Sequence, residues 1–170
     1  MKFLLESFKE FLKEEDIENY SDGSTVTLYH YAPVDADSLI VDPSRFGGSA
    51  FSRKEKETST VPRTFFYLNL DQREPFVAQN RILYKTEVPI TSLYNLKRDP
   101  ENIIQQVRHP TYGLRKGIEF DDLLNTIKEE YPGVFYSMPN MDIVNWFEPL
   151  TVTKVPEEER KELERANYNI

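Results

Sequence analysis

The feature that most constrains this 170-residue chain is a series of short β-branched and aromatic runs that helices do not regularly separate. Such runs, bounded by Pro, Gly, Asn and Asp, are typical of strands. They lie at Thr25–Tyr31, Arg63–Leu68, Arg81–Val88, Ser92–Leu96, Gly133–Met138, Asp142–Phe147 and Leu150–Val155. Because strands outnumber helices and do not alternate with them, the sequence predicts an α+β fold with a mostly antiparallel sheet and flanking helices.

Four segments read as helices, and they divide the chain. An amphipathic pattern over residues 3–19 ends at a turn-rich stretch, which defines an N-terminal segment 1–22, either docked or detachable. A second helix starts at Asp99, with Asp as N-cap and Pro100 as first helical residue. A third covers Glu119–Glu130, and a charged fourth opens after Pro156. We therefore predict a leader (1–22), a body (23–155) and a charged C-terminal helix (156–170).

The net charge of −8 is concentrated at the two ends of the chain. Residues 1–22 contribute −4 and residues 156–165 contribute −2, which leaves −2 for residues 23–155. This balance argues against a nucleic-acid partner held by overall electrostatics but leaves an anionic small molecule open. No run approaches the roughly 18–20 apolar residues of a membrane span, so we expect no membrane partner.

Residue types exclude several kinds of site. With no cysteine, the chain has no disulfide framework, thiolate metal site or Cys nucleophile. Neither a phosphate-binding P-loop nor a G-x-G-x-x-G fingerprint is present. Only His30 and His109 could supply imidazole ligands, and neither has a partner at helical spacing, so we predict no histidine-based metal site. An Asp/Glu metal site stays open, but no spacing marks one, and we name no metal ligand. The polar stretch 42–60 is long enough to predict a functional loop.

Four of the predicted strands carry a family resemblance. Strand alternation places Val26, Leu28 and His30 on one face of the first strand, opposite Thr27, Tyr29 and Tyr31. Leu28-Tyr29-His30-Tyr31-Ala32 resembles the first-strand motif of the diphtheria-toxin-like, His-Tyr-Glu ADP-ribosyltransferases. Arg63-Thr64-Phe65-Phe66-Tyr67-Leu68 resembles the strand that supplies their nicotinamide-contacting tyrosine, and Val134-Phe135-Tyr136 with Asp142–Pro149 resembles their closing strands. Residues 28–100 are also similar to ADP-ribosyltransferase-like modules of large phage polyvalent proteins. Together the resemblance spans about residues 25–155.

The resemblance implies a split β-sheet and a site that uses NAD as substrate. In it, His30 would bind a ribose hydroxyl, Tyr67 would stack on nicotinamide, and Asp142 would stabilise the oxocarbenium-like sugar. Asp142 stands where the family usually has Glu, so Glu148 is kept as an alternative acid. Tyr29, Arg45, Arg53 and Arg63 are the predicted cofactor contacts. Two other functions stay open: a catalytically silent structural or host-interaction protein of the same fold, and a carboxylate-dependent hydrolase.

A second resemblance lies in the N-terminal segment. Ser7-Phe8-Lys9-Glu10-Phe11-Leu12-Lys13-Glu14 is similar to the capsid-targeting leader of internal head proteins in large tailed phages. The resemblance implies a phage capsid or scaffold as one partner and a host protein as the other. It also implies a protein that is packaged in the virion and acts in the host cytoplasm.

Overall fold

The computed structural model describes residues 16–46, 59–70, 80–107, 118–138 and 141–165. They form eight strands: β1 (Thr25–Ala32), β2 (Ser38–Val41), β3 (Thr64–Tyr67), β4 (Ile82–Pro89), β5 (Leu93–Asn95), β6 (Gly133–Met138), β7 (Met141–Trp146) and β8 (Leu150–Lys154). The helices in these ranges are α1 (Ile103–Val107), α2 (Ile118–Lys128) and α3 (Glu157–Arg165). Short 3-10 helices span Ile17–Tyr20, Pro43–Arg45 and Ile90–Ser92.

The eight strands form one sheet in the order β2-β8-β4-β1-β3-β7-β6-β5. Every pair is antiparallel except β5 with β6. Most neighbours pair over several residues, and β1 with β4 runs over the full length from Thr25 to Ala32. This arrangement confirms the predicted α+β class and the mostly antiparallel sheet.

Side-chain alternation gives the sheet two apolar faces, named here by their central residues. The tyrosine face carries Tyr29, Tyr31, Phe65, Tyr67 and Ile143. Helix residues Ile103, Leu123, Leu124, Ile127 and Leu163 also pack on this face, so α1, α2 and α3 all cover it. The histidine face carries Val26, Leu28, Phe66 and Val144, with Ile17 packed on it. His30 lies on this second face, because its ring contacts Phe66.

Two details of the predicted elements were wrong. Strand β2 was not predicted, because it has only four residues and only Val41 among them is fully buried. The helix expected to start at Pro100 begins at Ile103 instead. Asp99 still caps it, since its carboxylate accepts hydrogen bonds from the backbone nitrogens of Ile103 (2.8 Å) and Ile104 (3.1 Å). The backbone of Asp99 is in the left-handed region (φ 43°), so the chain turns there and the helix begins only at Ile103.

Both ends of the described chain are attached to the sheet. Ile17, in the predicted leader segment, is buried on the histidine face. At the other end, Glu159 of α3 pairs with Lys85 of β4 at 2.6 Å. Residues 1–15, which carry most of the predicted amphipathic helix, lie outside the described ranges. The limits of the leader and of the body stay predictions.

Candidate functional site

The sheet is weakest between β1 and β3, where only Tyr29 and Tyr67 are paired. Beside that pair, a hydrogen bond from the His30 side chain connects β1 to the backbone of β3. The Nδ1 atom of His30 lies 2.9 Å from the carbonyl oxygen of Phe65. A carbonyl oxygen only accepts, so Nδ1 carries the proton and donates. Among the described residues, the two halves of the sheet, β2-β8-β4-β1 and β3-β7-β6-β5, are thus joined by this residue pair, by the imidazole hydrogen bond and by ring contacts between β1 and β3.

His30 serves the structure as a hydrogen-bond donor between strands. Burial lowers the pKa of His30 below its usual value, the hydrogen bond to the Phe65 carbonyl opposes this shift, and the positive charge of Arg81 adds to it. Its ring also packs against Phe66, with ring centroids 5.4 Å apart. One ring nitrogen of His30 is therefore hydrogen-bonded, and its ring packs against another side chain.

Tyr67 projects from the opposite face of the sheet to His30. Tyr67 lies directly across from Tyr29, and consecutive residues of a strand point to opposite faces. Packing agrees, because Tyr67 is 3% exposed in the tyrosine-face core and makes an edge contact with Tyr31. The expected convergence of His30 and Tyr67 on one bound nicotinamide riboside is therefore wrong, since the sheet itself separates the two side chains.

Asp142 shares the histidine face but lies away from His30. Its neighbour Ile143 pairs with Tyr67, which places the Asp142 side chain on the side opposite Tyr67. Strand β3 separates β7 from β1, so the two residues are two strand spacings apart, about 10 Å. Phe66 of β3 fills the space beside His30. The three predicted catalytic residues do not meet.

The Asp142 carboxylate instead organises a buried polar cluster, here called the Asp142 cluster: Tyr20, Lys97, Ser137 and Asp142. Tyr20 donates its hydroxyl to Oδ2 at 2.8 Å, and Ser137 donates to Oδ1. Lys97 Nζ lies 3.7 Å from Oδ1, and its side chain is 15% exposed. Asp142 itself is 7% exposed. The carboxylate is thus engaged in tying the first 3-10 helix and the end of β5 to the β6–β7 hairpin.

Arg63 cannot reach a bound phosphate, which contradicts its predicted role as a cofactor contact. It is 1% exposed, and its Nη1 donates to the carbonyl oxygen of Val61 at 2.8 Å. Aromatic rings of Phe46, Phe65 and Phe120 lie 4.6, 5.1 and 5.9 Å from the guanidinium carbon. The side chain is therefore an interior cation packed among aromatic rings.

The remaining predicted residues are scattered. Tyr29 is half-buried on the tyrosine face, where burial raises its pKa. Arg45 is exposed at the end of the second 3-10 helix and helps lower the pKa of Asp42, after the hydrogen bonds from Ser44. Glu148 is exposed beyond the far end of β7 from Asp142. Arg53 and His109 lie outside the described residues.

The partners of Asp142 were missed by sequence reasoning, although one carried a signal. When two residues connect the strands of a hairpin, the second residue before the connection pairs with the second residue after it. Here those residues are Ser137 and Asp142. Lys97 and Tyr20 carry no such signal, because they come from distant parts of the chain. Their contact depends on the sheet order.

The described ranges contain neither a metal-binding cluster nor a membrane-spanning helix. No group of three or more His, Asp or Glu side chains there is arranged to hold a metal ion. Among the helices of the same ranges, none has the length and apolar character needed to cross a membrane.

Comparison with known proteins returned no match: no family model, no curated protein and no solved structure is significantly similar to this chain. The His30 imidazole bridges β1 and β3, Tyr67 is buried in the tyrosine-face core, and the Asp142 carboxylate lies inside its own polar cluster. Each of these groups is engaged by the protein rather than aimed at one shared substrate position.

Proposed function

We propose that the chain is a protein-interaction domain built on the split-sheet fold of the His-Tyr-Glu ADP-ribosyltransferases, without their transferase activity. Support for the fold comes from the sheet, whose halves join at the single Tyr29–Tyr67 pair. The proposed loss of activity rests on one observation: the Tyr67 side chain lies on one face of the sheet, and those of His30 and Asp142 lie on the other. Transfer of ADP-ribose requires sugar, leaving group and carboxylate to be held in one geometry, within fractions of an ångström.

The chemical state of each residue supports the same proposal. A carboxylate stabilises an oxocarbenium-like sugar only while its negative charge is available to that sugar. In the Asp142 cluster that charge is already shared with the Lys97 ammonium and two hydroxyl donors. A carboxylate-dependent hydrolase would set two carboxylates opposite each other across a pocket away from His30. Asp142 gives it no support, since its partners are an ammonium and two hydroxyls.

An interaction role agrees with the partners that the sequence resemblances imply. These are a host protein for the body and a phage capsid or scaffold for the N-terminal segment. On this proposal the chain is carried in the virion and acts in the host cytoplasm by binding rather than by modifying.

The proposal predicts that the purified chain neither consumes NAD nor transfers ADP-ribose. Nicotinamide release and label transfer from NAD to host lysate should match the buffer blank for the wild type. His30→Ala and the matched control His109→Ala, at the chain's other histidine, should behave the same way. NAD consumption that His30→Ala abolishes and His109→Ala retains would restore the transferase interpretation. Consumption that all three proteins share would also contradict the proposal and would locate a site away from His30.

A further inference from the structure

The outer edge of β2 ends one side of the sheet. β2 pairs with β8 over all four of its residues, from Ser38 with Thr153 to Val41 with Leu150. In the part of the chain that the structure describes, no strand pairs with its other side. An open strand edge presents backbone donors and acceptors to any extended chain that approaches it.

The hydrogen-bond pattern identifies which backbone groups face outward. The backbone nitrogen of Lys154 donates to the carbonyl oxygen of Asp37 at 2.8 Å, which marks a hydrogen-bonded pair. Such pairs alternate along an antiparallel ladder, so Leu39 and Val41 also direct their backbone groups toward β8. Ser38 and Ile40 therefore direct their N–H and C=O groups away from the sheet.

The side chain of Ile40 adds an apolar contact at the same edge. It is 64% exposed, one of two large hydrophobic side chains in the described ranges that are mainly exposed. Natural proteins protect an open edge by keeping the strand short or by placing lysine, proline or a bulge within it. β2 is short, but it has no lysine, proline or bulge between Ser38 and Val41.

The segment that leads into β2 is anchored to the sheet. The Tyr84 hydroxyl donates to the carbonyl oxygen of Val34 (2.5 Å) and accepts from the backbone nitrogen of Ala36 (3.1 Å). Lys154 Nζ lies 2.5 Å from the Asp35 carboxylate. Because this segment is tied down and β2 is already paired with β8, strand addition has less chain entropy left to lose.

Charge at the edge selects the partner. Asp37 precedes the strand and Asp42 follows it, five residues apart, or about 16 Å along an extended chain. Two cations lie nearby: Lys154 pairs with Asp35 at 2.5 Å, and Arg45 is close enough to Asp42 to help lower its pKa. The three acids Asp35, Asp37 and Asp42 exceed these two cations by one, so the edge keeps a negative charge in excess. A second copy of this chain would bring the same acids to the edge and another net charge of −8. A basic segment suits the edge better.

We propose that the outer edge of β2 binds an extended segment of a partner protein by strand addition, with cationic side chains five residues apart flanking an apolar centre. Cations at this spacing point to opposite faces of the added strand, as Asp37 and Asp42 do along this chain. The proposal rests on the proposed interaction function and names the chemistry of its partner.

The test uses the full chain and two acetylated, amidated hexapeptides. One has the sequence lysine-threonine-valine-threonine-valine-lysine, and the other has glutamate in place of both lysines. We expect saturable binding of the first peptide that weakens with salt, and none of the second. Ile40→Pro removes an outward donor without touching the ladder to β8, and it should weaken binding about tenfold or more. The matched control Ile40→Thr keeps that donor and should retain binding.

Asp37→Lys supplies a second variant that does not depend on folding of the proline variant. It should abolish the preference for the lysine peptide, because a lysine at position 37 and Asp42 then leave one cation and one anion at the two flanking positions. The proposal is overturned if the wild type binds neither peptide up to about millimolar concentration, near the weakest affinity of practical interest. It is also overturned if folded Ile40→Pro binds like the wild type. A wild-type dimer that Ile40→Pro dissociates would make a second copy the occupant instead. NAD turnover would refute the proposed function without changing any of these binding results.

Discussion

Replacing Asp142 with alanine is expected to lower the free energy of unfolding by about 3–5 kcal/mol, the range typical of breaking a buried ion pair from one side. The reason is the ammonium of Lys97, which the change leaves largely buried without its carboxylate 3.7 Å away. The hydroxyls of Tyr20 and Ser137 lose their acceptor as well. Urea unfolding followed by the fluorescence of the single tryptophan, Trp146, measures the loss.

A double variant separates the charge from the packing. Lys97→Met removes the buried cation, so Asp142→Leu combined with Lys97→Met should recover much of the stability lost in Asp142→Ala. A loss below about 1 kcal/mol in Asp142→Ala, the value of an exposed ion pair, would contradict this assignment. It would mean that the carboxylate contributes little to holding the Asp142 cluster together.

The second large effect is expected at Arg63. Arg63→Ala should destabilise the fold by about 3–5 kcal/mol, because it empties a fully buried site bordered by three aromatic rings. The matched variant Arg63→Met keeps an unbranched side chain of similar length and removes the charge. It should recover most of the loss, as buried cations are often replaceable by well-packed apolar residues.

The same unfolding experiment checks this expectation. If Arg63→Ala unfolds like the wild type, the guanidinium does not support the core, and this assignment of Arg63 would be wrong. If Arg63→Met is as damaging as Arg63→Ala, the charge and its hydrogen bond to Val61 matter more than the packing.

The strands were predictable because each carries its own local pattern. Seven of the eight were found from β-branched and aromatic runs, and the alternation along β1 correctly separates His30 from Tyr29 and Tyr31. β2 was not found, since its pairing with β8 joins segments more than a hundred residues apart. A four-residue edge strand with one buried residue has no strong local signal.

The candidate site was less predictable, because it depends on the register between neighbouring strands. Alternation within one strand says which residues share a face, but it does not relate one strand to another. The pairing of Tyr29 with Tyr67 sets that relation, and a shift by one residue would have placed Tyr67 on the face of His30. Arg63 shows the same limit, because nothing in its local sequence distinguishes a buried guanidinium from an exposed one.

The opposite placement of His30 and Tyr67 is the central claim, and the cysteine-free sequence allows a direct measurement of it. Two double variants are refolded under oxidising conditions, and their disulfide content is measured by counting free thiols. Tyr29→Cys with Tyr67→Cys joins directly opposed positions, whose Cβ atoms lie near disulfide distance, so it should cross-link. His30→Cys with Tyr67→Cys should keep both thiols free, because the two Cβ atoms point to opposite faces. Efficient cross-linking of the His30–Tyr67 pair, with free thiols in the Tyr29–Tyr67 pair, would contradict the account and return both residues to one site.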